Sequence, residues 1–199
     1  MKTTHTLLAA GVLALFAGAA MADSSSGMQT TGPTVSAKAT VNLSVTVPKT
    51  ILLKVGSSSA ISNAAFTVAP TVSGTAMGNN NPINNWDGTG PLMSTNATGN
   101  ELDVAAWTNI SGGAKLNYSA SAFGTGGPAL ADFEVKSTGG TGLAHPGSLA
   151  LGTAGTDVTV AANTLSTAKW TYTLATAATP GTWKAGSYTT AIVYTATAP

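Results

Sequence analysis

Few residues in this chain carry groups able to do chemistry, and their spacing decides what they can do. There is no cysteine, and His145 is the one histidine apart from His5 near the start. A Ser-His-acid triad would have to use His145, in Leu143-Ala144-His145-Pro146-Gly147. That is a loop sequence, and no nucleophile elbow occurs anywhere, so the reading is an exposed loop histidine. Paired carboxylates can serve a glycosidase. Glu101 with Asp103, and Asp132 with Glu134, share strand parity, but each alternates with apolar neighbours, as on a solvated strand face. The Asn-rich stretch from Asn79 to Asp87 offers oxygen ligands without the dense acidic spacing of a calcium loop; turn-forming Asn accounts for it. Of the four tryptophans, Trp170 shares parity with Tyr172 and belongs to a core. Trp86 and Trp183 lie in turn-like sequence, which leaves a sugar-stacking platform as an alternative role. No catalytic residue, metal ligand or cofactor is expected, and the chain does not read as an enzyme.

The elements that must position these residues are strands. Val35, Ala37, Ala39, Val41, Leu43, Val45 and Val47 fall on odd positions, with Ser, Lys, Thr and Asn between them. This strict period-two alternation outruns the usual strand of about five or six residues. Pro48 interrupts it, and Ile51, Leu53 and Val55 resume on the same parity. Further strands are expected around Phe66-Val68, Leu102-Val104-Ala106, Leu116-Tyr118-Ala120, Phe133-Val135, Leu149-Leu151, Val158-Val160 and Trp170-Tyr172-Leu174. A last one should contain Tyr188, Ile192, Tyr194 and Ala196. Turn-rich stretches separate them, and no 3.6-residue apolar repeat is sustained beyond the first residues. The pattern predicts an all-β chain folded as a two-sheet sandwich.

Composition narrows the function classes. Only 8% of the 199 residues are charged, with eight lysines, seven acids and no arginine. Nucleic-acid binders neutralise phosphates with clustered Lys and Arg, so that class is excluded. Met1-Lys2, the uncharged run from Leu7 to Ala20 and the small-x-small site Ala20-Met21-Ala22 make residues 1–22 a signal peptide. The run is too short to span a bilayer, and no later stretch reaches that length. Asp23, rather than Cys, follows the cleavage site, which argues against lipid attachment. Residues 23–34 read as a flexible polar tail, 35–47 as a separate strand, and 48–199 as the sandwich domain.

The two ends of the exported chain resemble a known family. The strand-like run Gly186-Ser187-Tyr188-Thr189-Thr190-Ala191-Ile192-Val193-Tyr194-Thr195-Ala196 after Lys184-Ala185 is similar to the C-terminal strand of chaperone–usher pilins. Ala39 to Pro48 followed by Ile51-Leu52-Leu53 is similar to the donor strand, proline break and first strand of major pilins, especially the cysteine-free kinds in colonisation-factor and F1-type fibres. The resemblance implies an immunoglobulin-like sandwich lacking one strand, completed by donor-strand addition from a neighbour. It implies that Val35, Ala37, Ala39, Val41, Leu43, Val45 and Val47 fill the groove of an identical subunit. It also implies that the strand carrying Gly186, Tyr188, Ile192, Tyr194 and Ala196 pairs with a periplasmic chaperone before an outer-membrane usher assembles the surface fibre. The alternative is a secreted or surface-attached sandwich that binds glycans or envelope components without polymerising.

Intact-mass measurement or N-terminal sequencing of exported protein should find Asp23 at the new N-terminus. A start more than a residue or two away would overturn the assignment of the leader.

Overall fold

A computed structural model describes residues 24–28, 30–32, 34–72, 86–147 and 150–199. The expected signal peptide lies outside them, as do Asn79 to Asn85 and Leu149. The chain divides into two compact units, Met1–Val47 and Pro48–Pro199.

In the larger unit the described residues form β1 (Ile51–Val55), β2 (Ala65–Thr71), β3 (Leu92–Thr98), β4 (Glu101–Thr108), β5 (Ala114–Ala120), β6 (Phe133–Thr138), β7 (Val158–Val160), β8 (Ser166–Leu174) and β9 (Ile192–Thr197). They make a four-stranded sheet β1-β4-β8-β6, a three-stranded sheet β7-β5-β9 and a β2-β3 hairpin, with every strand pair antiparallel. The only helical pieces among the described residues are two single 3-10 turns, Leu130–Asp132 and Pro180–Thr182. The fold is an all-β sandwich.

Period-two alternation builds its core. Val104 and Ala106 of β4, Leu116 and Tyr118 of β5, Val135 of β6, and Ala168, Trp170 and Tyr172 of β8 turn inward and are buried. Burying a side chain of this size is worth about 1.5–3 kcal/mol, so the middle strands hold most of the cohesion. Trp170 is fully buried, and its indole N–H donates to the Leu143 carbonyl at 3.1 Å. On the outer face Glu101 and Asp103 of β4 flank Lys169 of β8.

Several expectations need correction. Strand β3 was not expected, because only Met93 and Ala97 face inward among polar neighbours, too weak an alternation to register. Among the described residues around Leu151 there is no strand; isolated bridges join Ala150 to Glu134 and Ala154 to Ser119. Asp132 does not share a strand with Glu134; it closes a 3-10 turn, where its carboxylate accepts the Ala129 N–H at 2.7 Å. The C-terminal strand begins at Ile192, so Gly186 and Tyr188 precede it. Its partner β5 ends at Ala120, opposite Ile192, which leaves nothing for earlier residues to pair with. Tyr188 instead lays its ring on Gly127, where an added Cβ would fall 2.4 Å from the ring, and donates its hydroxyl to the Lys184 carbonyl at 3.0 Å.

In the smaller unit, residues 34–47 form no strand and all of them are exposed. The Ser25 hydroxyl accepts the Lys38 N–H at 2.6 Å and donates to the Lys38 carbonyl, closing a local loop.

The turn joining β4 to β5 depends on glycine. Gly112 and Gly113 both have left-handed backbones, with φ of +86° and +84°. A Cβ on Gly112 would meet only the Pro199 ring edge at 3.5 Å, whereas one on Gly113 would fall 2.3 Å from the Val160 carbonyl. Gly112→Ala should therefore cost only the left-handed penalty of about 1–2 kcal/mol. Gly113→Ala should cost clearly more, because β7 must move as well. Urea unfolding of both variants tests this, and equal losses would contradict the close approach.

Candidate functional site

Backbone pairing singles out one region. β1 is an edge of the four-stranded sheet and β9 an edge of the three-stranded sheet. The two approach one another without a ladder between them. Their inward side chains are Ile51, Leu53 and Val55 on β1 and Ile192, Tyr194 and Ala196 on β9. All six pack against the core but remain half-buried, unlike their counterparts on β4, β5 and β8. An apolar seam therefore runs between two strand edges that have no β-partner among the described residues. Unpaired edges of this kind are ready templates for another strand.

Each edge is anchored from behind. The β1 anchor is at the end of β4: Asn109, just past the strand, accepts the Thr50 N–H on its side-chain oxygen at 2.7 Å and donates its amide to the Pro48 carbonyl at 2.7 Å. The buried Thr108 hydroxyl donates to the Thr50 carbonyl at 2.9 Å.

The β9 anchor is His145. It is not an exposed loop histidine but is 6% accessible, enclosed by Tyr118, Trp170, Tyr172 and Tyr194. Its Nε2 hydrogen-bonds the Tyr194 hydroxyl at 2.7 Å, and Tyr194 in turn bonds the Tyr172 hydroxyl. Nδ1 is buried without a partner among the described residues. Burial pushes the imidazole down to about 4, so the ring is neutral at physiological pH. Burial also raises both phenols, so they stay protonated. Through Nε2 and the two phenols this chain of groups fastens β9 to the core. Sequence parity put Trp170 with Tyr172 in a core and set Tyr118 and Tyr194 on strands of their own. No local signal showed that the 143–147 loop would plug the core among them.

Of the other candidate groupings, Glu101 and Asp103 share one outward face of β4. Lys169 binds Glu101 at 2.6 Å and Asp103 at 3.3 Å, and the hydrogen bonds it donates to these exposed carboxylates raise its pKa. That is a solvent-screened ion-pair cluster on an exposed strand face. The Asp87 carboxylate accepts the Thr89 hydroxyl at 2.6 Å and its N–H at 3.0 Å, which lowers its pKa and makes a turn. The Trp86 indole closes the same turn on the Thr89 carbonyl at 2.6 Å. Trp107 stands on the outer face opposite Leu52, and Trp183 follows the second 3-10 turn. Among the described residues no ring contact joins Trp86, Trp107 and Trp183 into a platform. No group of three or more His, Cys, Asp or Glu converges among them either. No helix among them is long and apolar enough to cross a membrane.

The residues expected to act as a donor strand, Val35 to Val47, belong to the smaller unit. Val41, Leu43 and Val45 are 80%, 91% and 85% exposed, and Val35, Ala37, Ala39 and Val47 are exposed too. Three adjacent large apolar side chains on one parity are thus left in water.

No protein-family model, curated protein or solved structure matches the chain.

His145 predicts a pH dependence. In the unfolded chain its pKa returns to about 6.5. Above that value both states are neutral and the imidazole adds no pH dependence. As pH falls from 6.5 towards 4 the unfolded chain binds a proton that the fold refuses, so stability drops, and it levels off below 4. Between pH 7.5 and 5.5 the loss should be about 1 kcal/mol, and His145→Phe should abolish it. Urea unfolding of both proteins at the two pH values checks this. Parallel pH dependence in the two would place the imidazole in water.

Proposed function

We propose that this chain is a structural subunit of a surface pilus or fimbria, exported through the periplasm and polymerised by donor-strand exchange. The observation that carries the reading is the arm of residues 35–47: patterned as a strand, apolar on one parity, and in no strand of its own unit. A strand-patterned segment with its apolar side chains in water has an unsatisfied requirement for a partner. The seam between β1 and β9 presents the complementary deficit, two unpaired edges above half-covered apolar side chains.

β-strand addition answers both. Ladder hydrogen bonds to the edges supply affinity, and alternate side chains entering the seam supply specificity. Seating a strand there parts the two edges to about two strand spacings, roughly 9–10 Å. Ile192, Tyr194 and Ala196 of β9 would meet the incoming strand. Before assembly the same edge would pair with a periplasmic chaperone, which hands the subunit to an outer-membrane usher. A role in adhesion or biofilm formation follows from the fibre. The composition fits this class, since a fibre subunit needs neither catalytic groups nor a charged substrate site.

The arm's parity provides the test. Leu43→Lys should abolish fibres while leaving the subunit exported, its own fold changed by no more than about 0.5 kcal/mol, as for an exposed site. Asn42→Lys, on the opposite parity, should still polymerise. Fibre yield by electron microscopy and subunit stability by urea unfolding, measured for both variants, read out the two halves. A Leu43 variant that loses its own stability, or an Asn42 variant equally unable to form fibres, would remove the donor role.

A further inference from the structure

Four aromatic rings enclose the His145 imidazole, and they do not enclose it equally. Tyr118 of β5 and Trp170 and Tyr172 of β8 are buried, whereas Tyr194 of β9 is half-buried. We infer that β9 is an acid-released cover: protonation of His145 opens β9 away from the core as a local unit, while the loop carrying the ring and the strands beneath it stay in place. The inference stands on this cluster and does not depend on the assembly role.

The titratable groups facing the ring are phenols, Tyr118 from β5, Tyr172 from β8 and Tyr194 from β9. The charged residues of those strands, Lys115 on β5 and Lys169 on β8, alternate to the outer side, and β9 carries none. The loop 143–147 has no charged residue, nor has the segment 152–156 that packs on it. Asp157, which follows, binds the Asn117 amide on the outer face. Among the described residues no carboxylate forms an ion pair with the imidazole. Nε2 is matched by the Tyr194 hydroxyl, but Nδ1 has no partner. A second ring proton would therefore create a buried cation with an unmet donor and no counter-charge. Such a group is taken up by whichever arrangement admits water.

Packing decides which side yields. The loop is pinned on both flanks of His145. The Leu143 N–H donates to the Thr167 carbonyl at 3.2 Å, and the Leu143 carbonyl accepts the Trp170 indole and the Ser137 hydroxyl. The Pro146 carbonyl accepts the Thr156 N–H at 2.9 Å. The β5 side is closed by backbone: a Cβ on Gly147 would fall 2.9 Å from the Tyr118 ring, and one on Gly155 2.6 Å from it. β9 has no comparable hold. Among the described residues it pairs with β5 alone, and its inward Ile192, Tyr194 and Ala196 are half-buried. Edge elements with few buried contacts open most readily.

The sign follows from where the proton binds. A hydrated imidazole has a pKa near 6.5, and burial holds the enclosed ring at about 4. The open form binds the extra proton, so opening is insensitive to pH above 6.5, grows as pH falls, and levels off below 4. Between pH 7.5 and 5.5 the equilibrium constant for opening rises about tenfold, and its full rise is about 300-fold. The β9 edge is thus held ready for an added strand at neutral pH and withdrawn in acid.

Native-state hydrogen exchange of the full chain by NMR, at pH 7.5 and 5.5 and in low urea, tests this, with rates corrected for the intrinsic pH dependence of amide exchange. In wild type the amides of the β5–β9 ladder should lose about tenfold in protection at pH 5.5, through an opening that low urea does not promote. Amides of the β4–β8 ladder, and the Leu143 N–H, should exchange more slowly and through urea-dependent unfolding. His145→Phe and His145→Gln remove the titration, so β9 protection should be the same at both pH values. The inference is overturned if wild-type β9 exchanges with the rate and urea dependence of the β4–β8 ladder, or if its protection ignores pH. It is also overturned if Leu143 loses protection in acid while β9 keeps it, or if the tenfold loss persists in a folded His145 variant. Should neither variant fold, the wild-type contrast between β9, the loop and the β4–β8 ladder still decides.

Discussion

An unpaired strand edge above a half-covered apolar face is the constraint on which the rest of this structure depends. Backbone amides and carbonyls are obligatory hydrogen-bonding groups, and a sheet that ends in water leaves a row of them without protein partners. Here two such rows, on β1 and β9, face one another across a shared apolar seam. The fold resists the cost by concentrating its cohesion elsewhere. β4, β5 and β8 carry the fully buried residues, so the sandwich does not rely on its edges to exist. With no disulfide to contribute, that internal division is what allows the edges to stay open.

Legibility in the sequence followed the strength of alternation. β1, β4, β5, β6 and β8 were visible because inward residues such as Val104, Leu116 and Trp170 alternate with polar ones. β3 was invisible because its inward Met93 and Ala97 are outnumbered by polar residues, and pairing with β2 rather than burial makes it a strand. The arm was the opposite case. Its alternation is the strongest in the chain, yet residues 35–47 form no strand, because a period-two pattern specifies a face to be buried but not the molecule that buries it. At the C-terminus, the pattern continued upstream of Ile192 through Tyr188, but β5 had ended and the ladder could not follow.

The least legible feature was the end of the core. Aromatic residues on three strands share an inward parity, which sequence shows; the loop that fills the space between them is a matter of tertiary packing. His145 solves that packing problem at a cost. A neutral imidazole offers one bond to Tyr194 and leaves Nδ1 unmet, a buried polar deficit that an apolar residue would not incur. A methyl-bearing side chain there would fill volume but could not engage the Tyr194 hydroxyl, and the Tyr172–Tyr194 pair would then end in a hydrophobic wall.

That deficit has a mechanical counterpart. A strand paired on one side only loses half of its ladder and frays more readily than one in the middle of a sheet. Among the described residues β9 is paired to β5 alone, and the His145–Tyr194–Tyr172 chain adds a second attachment, from a loop and from the opposite sheet. Among the described residues β1 is paired to β4 alone, and Asn109 with Thr108 extends its hold back to Pro48. Both edges that flank the seam are therefore fixed by polar anchors directed from the core side, which leaves their outer hydrogen-bonding groups free. An edge that must receive a strand has to be straight and in place before the strand arrives, since ordering it on arrival would subtract backbone entropy of about 1–2 kcal/mol per residue from the gain. Polar anchoring from behind meets that requirement without spending any of the apolar surface that an incoming strand would bury.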